Sequence, residues 1–215
     1  MKPTKYLFGL AAAALAMSAH AGPFSEGFDS VANLAAAGWL QVNNSAVPAN
    51  PWFQGNSGIF AAQAGAADSY AGADFLSSDS GTIDNWLISP ILAIDAGSVL
   101  SFYTKSAGTK GFADQLGVYF SATGGTAVSD FVLLGSIGAG NYPLGWTQYS
   151  FDLSPSATGR FAFRQGGTAD TADYLGIDTV SVAAVTNPIP EPSTYALMAL
   201  GIAAVAVVRR RQRAA

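Results

Sequence analysis

Few side chains in this sequence could take part in covalent chemistry. It contains no cysteine, and its one histidine, His20, lies in an N-terminal segment that export would remove. Thiolate nucleophiles and cysteine metal sites are therefore excluded. Without a histidine in the mature chain, a Ser-His-Asp relay and the usual zinc sites are excluded as well. Two aspartates could still act as acid and base, but no spacing singles out such a pair, so we predict a protein that is not an enzyme.

Asp178 is the acidic residue that most needs a partner. If the last apolar run, 175–182, alternates strictly, its carboxylate shares a face with Val180. A carboxylate buried alone is strongly destabilising. Three answers stay open: a calcium ion with oxygen ligands, a β-bulge that turns the side chain to solvent, or an ion pair with Arg160 or Arg164.

The segment 50–56 combines aromatic and amide side chains. Trp52 and Phe53 follow a Pro-Ala-Asn-Pro turn, and Gln54 and Asn56 come directly after them. Binding sites for uncharged ligands are built from aromatic surfaces and a few polar groups, and sugars present both apolar C–H faces and hydroxyls. These four side chains are therefore candidates for contact with a glycan at the rim of the domain. For the tryptophan, packing in the core is the favoured alternative.

The elements that must position these residues are short strands. Apolar runs separated by turn residues extend from residue 22 to about residue 186. The runs of strand length are 86–94, 99–105, 115–121, 131–137, 147–153, 160–164 and 175–182. Apolar and polar residues alternate in 115–121 and 147–153, which is typical of half-buried strands. We predict one all-β domain, an antiparallel β-sandwich, over residues 22–186.

Charge is distributed unevenly along the chain. Six of the ten basic residues lie within the first 21 and the last 24 positions. Residues 22–190 keep four basic residues against thirteen acidic ones, which is a net charge of −9. Such a surface repels phosphate backbones, so we expect no nucleic-acid partner.

Both ends of the chain carry targeting patterns. Lys2 and Lys5 precede a short apolar run and an Ala-His-Ala tripeptide, which predicts a signal peptide over residues 1–21 that signal peptidase removes. Residues 193–208 are apolar on every face and are followed by arginines. Sixteen helical residues span roughly 24 Å, close to the thickness of the hydrocarbon layer, and the basic cluster favours the cytoplasmic side. We therefore predict a single C-terminal transmembrane helix.

The order of the C-terminal pieces, over residues 187–215, resembles a known sorting signal. Its motif residues are Pro190, Glu191 and Pro192 before the apolar span, and Arg209, Arg210 and Arg211 after it. This order is similar to the PEP-CTERM signal of Gram-negative bacteria. The resemblance implies recognition of the Pro-Glu-Pro motif by exosortase, a membrane-embedded protease. It also implies an inner-membrane intermediate, later display at the cell surface or in the matrix, and an association with exopolysaccharide.

The β domain resembles a second family. It opens with Phe-Ser-Glu-Gly-Phe-Asp at 24–29, carries Asn-Trp-Leu-Ile-Ser-Pro at 85–90 and closes with Gly-Ile-Asp-Thr-Val-Ser-Val at 176–182. These blocks are similar to those of the choice-of-anchor J domain, which is related to cleaved-adhesin and MAM-like domains. The resemblance implies a jelly-roll β-sandwich.

In such a jelly roll the first and last strands are neighbours. The resemblance therefore places Glu26 and Asp29 near Asp178, as co-ligands of a structural calcium ion. The closing block departs from the family pattern, since Thr179 stands where a second acidic residue is common.

These observations predict an exported, exosortase-processed surface or matrix protein with an adhesin-like domain that binds without catalysis. The first alternative is a carbohydrate-binding module for a specific glycan, with the cell's own exopolysaccharide as ligand. The second alternative is an aspartate-dependent hydrolase.

Overall fold

The computed structural model describes residues 23–138 and 140–184 of the 215-residue chain. The predicted signal peptide, the predicted transmembrane helix and the sorting signal lie outside these ranges. So do the motif residues Pro190, Glu191, Pro192, Arg209, Arg210 and Arg211. Within the described ranges, no helix is long and apolar enough to span a membrane.

The described residues form β-strands joined by turns and three short 3-10 helices. The strands are β1 (Phe24–Glu26), β2 (Leu40–Asn43), β3 (Phe53–Gln54), β4 (Ala71–Asp74), β5 (Thr82–Ile88), β6 (Leu92–Ile94), β7 (Ser98–Ser106), β8 (Gln115–Ser121), β9 (Val132–Gly138), β10 (Thr147–Asp152), β11 (Ser156–Thr168) and β12 (Tyr174–Ala184). The 3-10 helices are Val31–Asn33, Phe75–Ser77 and Val128–Asp130.

The strands pair into two six-stranded antiparallel sheets. Sheet 1 has the order β10-β7-β12-β4-β3, and β1 also pairs with β12. Sheet 2 has the order β2-β5-β11-β8-β9, and β6 also pairs with β11. The prediction of an all-β, antiparallel sandwich is confirmed.

The two sheets bury one shared core between them. In sheet 2, Leu87, Phe163 and Val118 lie side by side on three neighbouring strands and are fully buried. In sheet 1, Phe102 packs against them, and its ring centroid lies 4.7 Å from that of Phe163. Because side chains alternate along a strand, the residues between these core positions point to the outer faces of the sheets.

Candidate functional site

Asp178 lies on the outer face of sheet 1 and not on the core face. The register of β12 against β7 shifts directly after Asp178, and Thr179 has a positive φ of 50°. Because this β-bulge adds one residue, Ile177 before it and Val180 after it both reach the core. The prediction that Asp178 shares a face with Val180 is therefore wrong, although a bulge was among the expected alternatives.

The carboxylate of Asp178 is nonetheless fully buried, because a loop covers it. Its Oδ2 accepts hydrogen bonds from the backbone N–H groups of Gln63 (2.8 Å) and Ala64 (3.1 Å). Its Oδ1 accepts one from the N–H of Thr179 (2.5 Å), whose hydroxyl donates to Oε1 of Gln63 (2.6 Å). Burial raises the pKa of Asp178, and these amide hydrogen bonds offset part of that rise. Backbone amides are thus the partner of this carboxylate, so neither exposure to solvent nor pairing with an arginine occurs.

The three carboxylates predicted to share calcium do not gather around one point. Glu26 Oε1 accepts the N–H of Phe28 (2.8 Å), and Asp29 Oδ1 accepts the hydroxyl of Ser69 (2.9 Å). In the described part of the chain, no three metal-binding side chains come together. Calcium takes about six to eight oxygen ligands, whereas the oxygens of Asp178 already accept three N–H groups. As they lie, these residues do not fit a calcium ion.

Trp52 is a core residue and not an exposed contact. Its side chain is 1% exposed, and its Nε1 donates a hydrogen bond to the carbonyl of Asn85 (3.2 Å). The interpretation of Trp52 as an exposed glycan contact is therefore wrong, because the ring offers no free face. Its neighbour Phe53 is half-buried in β3, where its ring packs against Tyr174 with centroids 5.8 Å apart.

The amides of this segment are also used within the protein. Gln54 accepts the N–H of Val31 (2.8 Å) and donates to the carbonyls of Phe28 (2.9 Å) and Asp68 (2.6 Å). Asn56 is exposed, and its Oδ1 accepts a hydrogen bond from Gly58. The segment 50–56 therefore links β3 to neighbouring loops through hydrogen bonds. A glycan contact by Phe53, Gln54 or Asn56 stays a prediction.

A different surface brings aromatic, charged and amide side chains together. On β5 and β11, Trp86 is paired with Arg164, and Asp84 is paired with Gly166. On the next strand, β8, Gly117 lies beside Arg164. All of these positions alternate with core residues and so belong to the outer face of the sheet. We call this surface the sheet-2 outer face; its side chains are Asp84, Trp86, Gln115, Tyr119, Ser136 and Arg164.

Asp84 holds the aromatic and cationic side chains of this face together. Its Oδ1 accepts hydrogen bonds from Nε1 of Trp86 (2.6 Å) and from Nε of Arg164 (2.5 Å). The guanidinium carbon of Arg164 lies 5.8 Å from the centroid of the Trp86 ring, within the range of a cation–π contact. The half-buried ring of Tyr119 packs against the same tryptophan, with centroids 4.6 Å apart. The four side chains therefore form one connected unit.

The ion pair of this unit lies at the surface. The side chains of Asp84 and Arg164 are 26% and 34% exposed. Burial lowers the pKa of Arg164, but the hydrogen bond and charge of Asp84 raise it more, so the pKa lies above its usual value. Arg164 stays charged, and the pair as a whole adds no net charge. The sheet-2 outer face can thus offer N–H donors and carboxylate oxygens to the hydroxyls of a neutral ligand.

This surface was not among the sites predicted from the sequence. One signal was present, because Asp84 and Trp86 are two residues apart in a strand and therefore share a face. Arg164 and Tyr119 reach the same surface only through strand pairing with distant parts of the chain. That pairing has no local signal in the sequence.

Residues 23–182 match the sequence profile of the Cleaved Adhesin Domain. This chain belongs to the cleaved-adhesin family. Residues 188–212 match the PEP-CTERM protein-sorting motif, so the resemblance of the C-terminal segment to this sorting signal is confirmed. A cleaved-adhesin domain with this motif indicates an exported, cell-surface protein, and the motif implies processing by exosortase.

Solved cleaved-adhesin domains share the fold. The K1 domain of Lys-gingipain from Porphyromonas gingivalis W83 has a TM-score of 0.56 at 22% identity, covering 76% of this chain and 98% of the domain. The K2 domain of Lys-gingipain has a TM-score of 0.57 at 22% identity, covering 75% of this chain and 99% of the domain. No curated protein sequence matches the chain. At such identities the likeness establishes the fold and carries no ligand with it.

Proposed function

We propose that this cleaved-adhesin domain is displayed at the cell surface as a non-catalytic module that holds exopolysaccharide on its sheet-2 outer face. The observation that carries the proposal is the half-buried Tyr119 ring, packed on Trp86 beside the Asp84–Arg164 ion pair. An aromatic ring gives the apolar C–H face of a sugar a surface to pack on. The ion pair gives the sugar hydroxyls charge-assisted hydrogen bonds. The jelly-roll topology implied by the family is part of this proposal.

Delivery to the surface should remove both ends of the chain. In cells that contain an exosortase, we expect the surface form to lack residues 1–21 and 193–215, because the ends carry a signal-peptide pattern and a PEP-CTERM motif. Intact-mass spectrometry of the surface form measures this directly. Glu191→Ala should accumulate as a longer, membrane-bound form, whereas the control Thr186→Ser should be processed normally. A surface species that keeps residues 209–213 would mean that the tail is a permanent anchor.

The processed protein should be retained by the producer's own exopolysaccharide. Affinity electrophoresis of the surface form, in gels with and without that polysaccharide, measures the interaction. A single shallow site is expected to bind with a dissociation constant of about 1 mM, and many displayed copies raise the avidity. Unchanged mobility at all polysaccharide concentrations would contradict the proposal. Release of new reducing ends would instead favour the aspartate-dependent hydrolase.

A further inference from the structure

The sheet-2 outer face contains a small cavity of about 170 Å³. It lies over β8, β9 and β11, and the residues that define it are Gln115, Gly117, Tyr119, Ser136, Arg164 and Gly166. Strand register explains its floor, since Arg164, Gly117 and Ser136 form one row across the three strands. In the next row, Gly166 is paired with Gln115. Gly117 in the first row and Gly166 in the second leave backbone where side chains would otherwise stand.

The backbone conformation at position 166 does not require a glycine, yet the glycine leaves an open space there. Its φ is not in the left-handed region, so an ordinary residue could adopt the same conformation. A Cβ built there would lie 3.4 Å from Nη1 of Arg164, which is ordinary contact. The guanidinium therefore borders the cavity directly above this position. At Gly117, by contrast, a Cβ would lie 2.6 Å from the ring of Tyr119, so that glycine lets the ring lie close to the strand.

We infer that this cavity is a subsite for a single neutral sugar ring of the bound polysaccharide, an assignment that rests on the proposed function. Ligand pockets that enclose larger molecules measure about 300–1,000 Å³, so a cavity of this size takes one ring and not a longer segment. Tyr119 supplies the apolar wall, and Arg164, Gln115 and Ser136 supply polar groups for hydroxyls. The Asp84 carboxylate balances the charge of Arg164, which disfavours sulfated or phosphorylated sugars at this position.

Reducing the space in the cavity tests the inference in the processed surface form of the protein. Gly166→Ala adds one methyl group to the floor and should weaken affinity for the producer's exopolysaccharide about tenfold. Gly145→Ala is the matched control, because a Cβ at Gly145 meets no atom within 4 Å and its φ is not positive. Affinity electrophoresis gives the dissociation constants, and thermal melts show that both variants fold.

A second variant keeps the test decisive if Gly166→Ala is unstable. Gln115 is exposed, so Gln115→Ala should weaken affinity about threefold and leave the melting temperature unchanged. Equal affinity of wild type, Gly166→Ala and Gln115→Ala would overturn the subsite and leave the proposed function standing. Failure of the wild-type protein to bind the polysaccharide would overturn the proposed function, and the subsite with it.

Discussion

Replacing Trp52 with alanine is expected to lower the free energy of unfolding by about 3 to 5 kcal/mol. The indole is fully enclosed in the core, and its Nε1 donates to the carbonyl of Asn85 on β5. The change therefore leaves a cavity in the core and removes this buried hydrogen bond at the same place. For a domain of this size, the loss corresponds to a fall in melting temperature of roughly 6 to 20 °C. Thermal unfolding followed by circular dichroism measures it.

An exposed aromatic residue provides the control for this experiment. Phe112 is 47% exposed, and Phe112→Ala should change the free energy of unfolding by no more than about 0.5 kcal/mol. If Trp52→Ala had the same melting temperature as the parent protein, the indole would not be needed for the stability of the core. The segment 50–56 would then again be a candidate for glycan contact.

Asp178→Ala is expected to cost about 3 kcal/mol or more, because three N–H groups lose the buried carboxylate that accepts their hydrogen bonds. Those groups belong to Gln63, Ala64 and Thr179, so the change releases the loop from β12. The melting temperature should fall by roughly 6 to 12 °C. Asp152→Ala, on the exposed side of β10, is the matched control and should melt with the parent.

Removal of calcium with EDTA distinguishes amide hydrogen bonding of Asp178 from calcium binding. We expect the same melting curve for the parent protein in EDTA and in excess calcium, because the oxygens of Asp178 are occupied by backbone amides. A bound ion at ~100 times its dissociation constant would add about 2.7 kcal/mol of stability. A calcium-dependent rise of several degrees would therefore show that an ion displaces the amides.

Strands with strong alternation could be predicted from the sequence alone. The run 115–121 coincides with β8, and 147–153 exceeds β10 by one residue, since their apolar residues repeat with the period of a strand. The run 86–94 was predicted as one strand but divides into β5 and β6 around Pro90. Proline has no N–H to donate, which ends the ladder there.

Elements built from small residues could not be predicted in the same way. β4 reads Ala-Gly-Ala-Asp and has no apolar alternation of its own. It is a strand through its pairing with β12 and β3, and Gly72 leaves room for the hydroxyl of Tyr174, which would lie only 2.6 Å from a Cβ at that position. Whether such a segment forms a strand depends on long-range contacts of this kind, and single-residue preferences do not encode them.

The surroundings of Trp52 and Asp178 likewise could not be predicted from local patterns in the sequence. Turn-forming neighbours left both an exposed and a buried Trp52 open, and a partner 33 residues along the chain holds it in the core. For Asp178, alternation gave the wrong face because one residue, Thr179, adopts the positive φ of a bulge. By contrast, the first and last strands do lie together, since Glu26 is opposite Val180 in the β1–β12 pair.

The position of β12 determines how this domain bears mechanical load. β12 is the last described strand, and it is hydrogen-bonded along one edge to β7 and along the other to β4 and β1. A pull that enters through its C-terminal end acts parallel to the strand, so it loads these ladders in shear and many hydrogen bonds must break together. An edge strand pulled from one end would instead unzip one bond at a time. Tension applied at the C-terminal side of this domain therefore acts on a strand that is paired along both edges, which resists it better than an edge strand would.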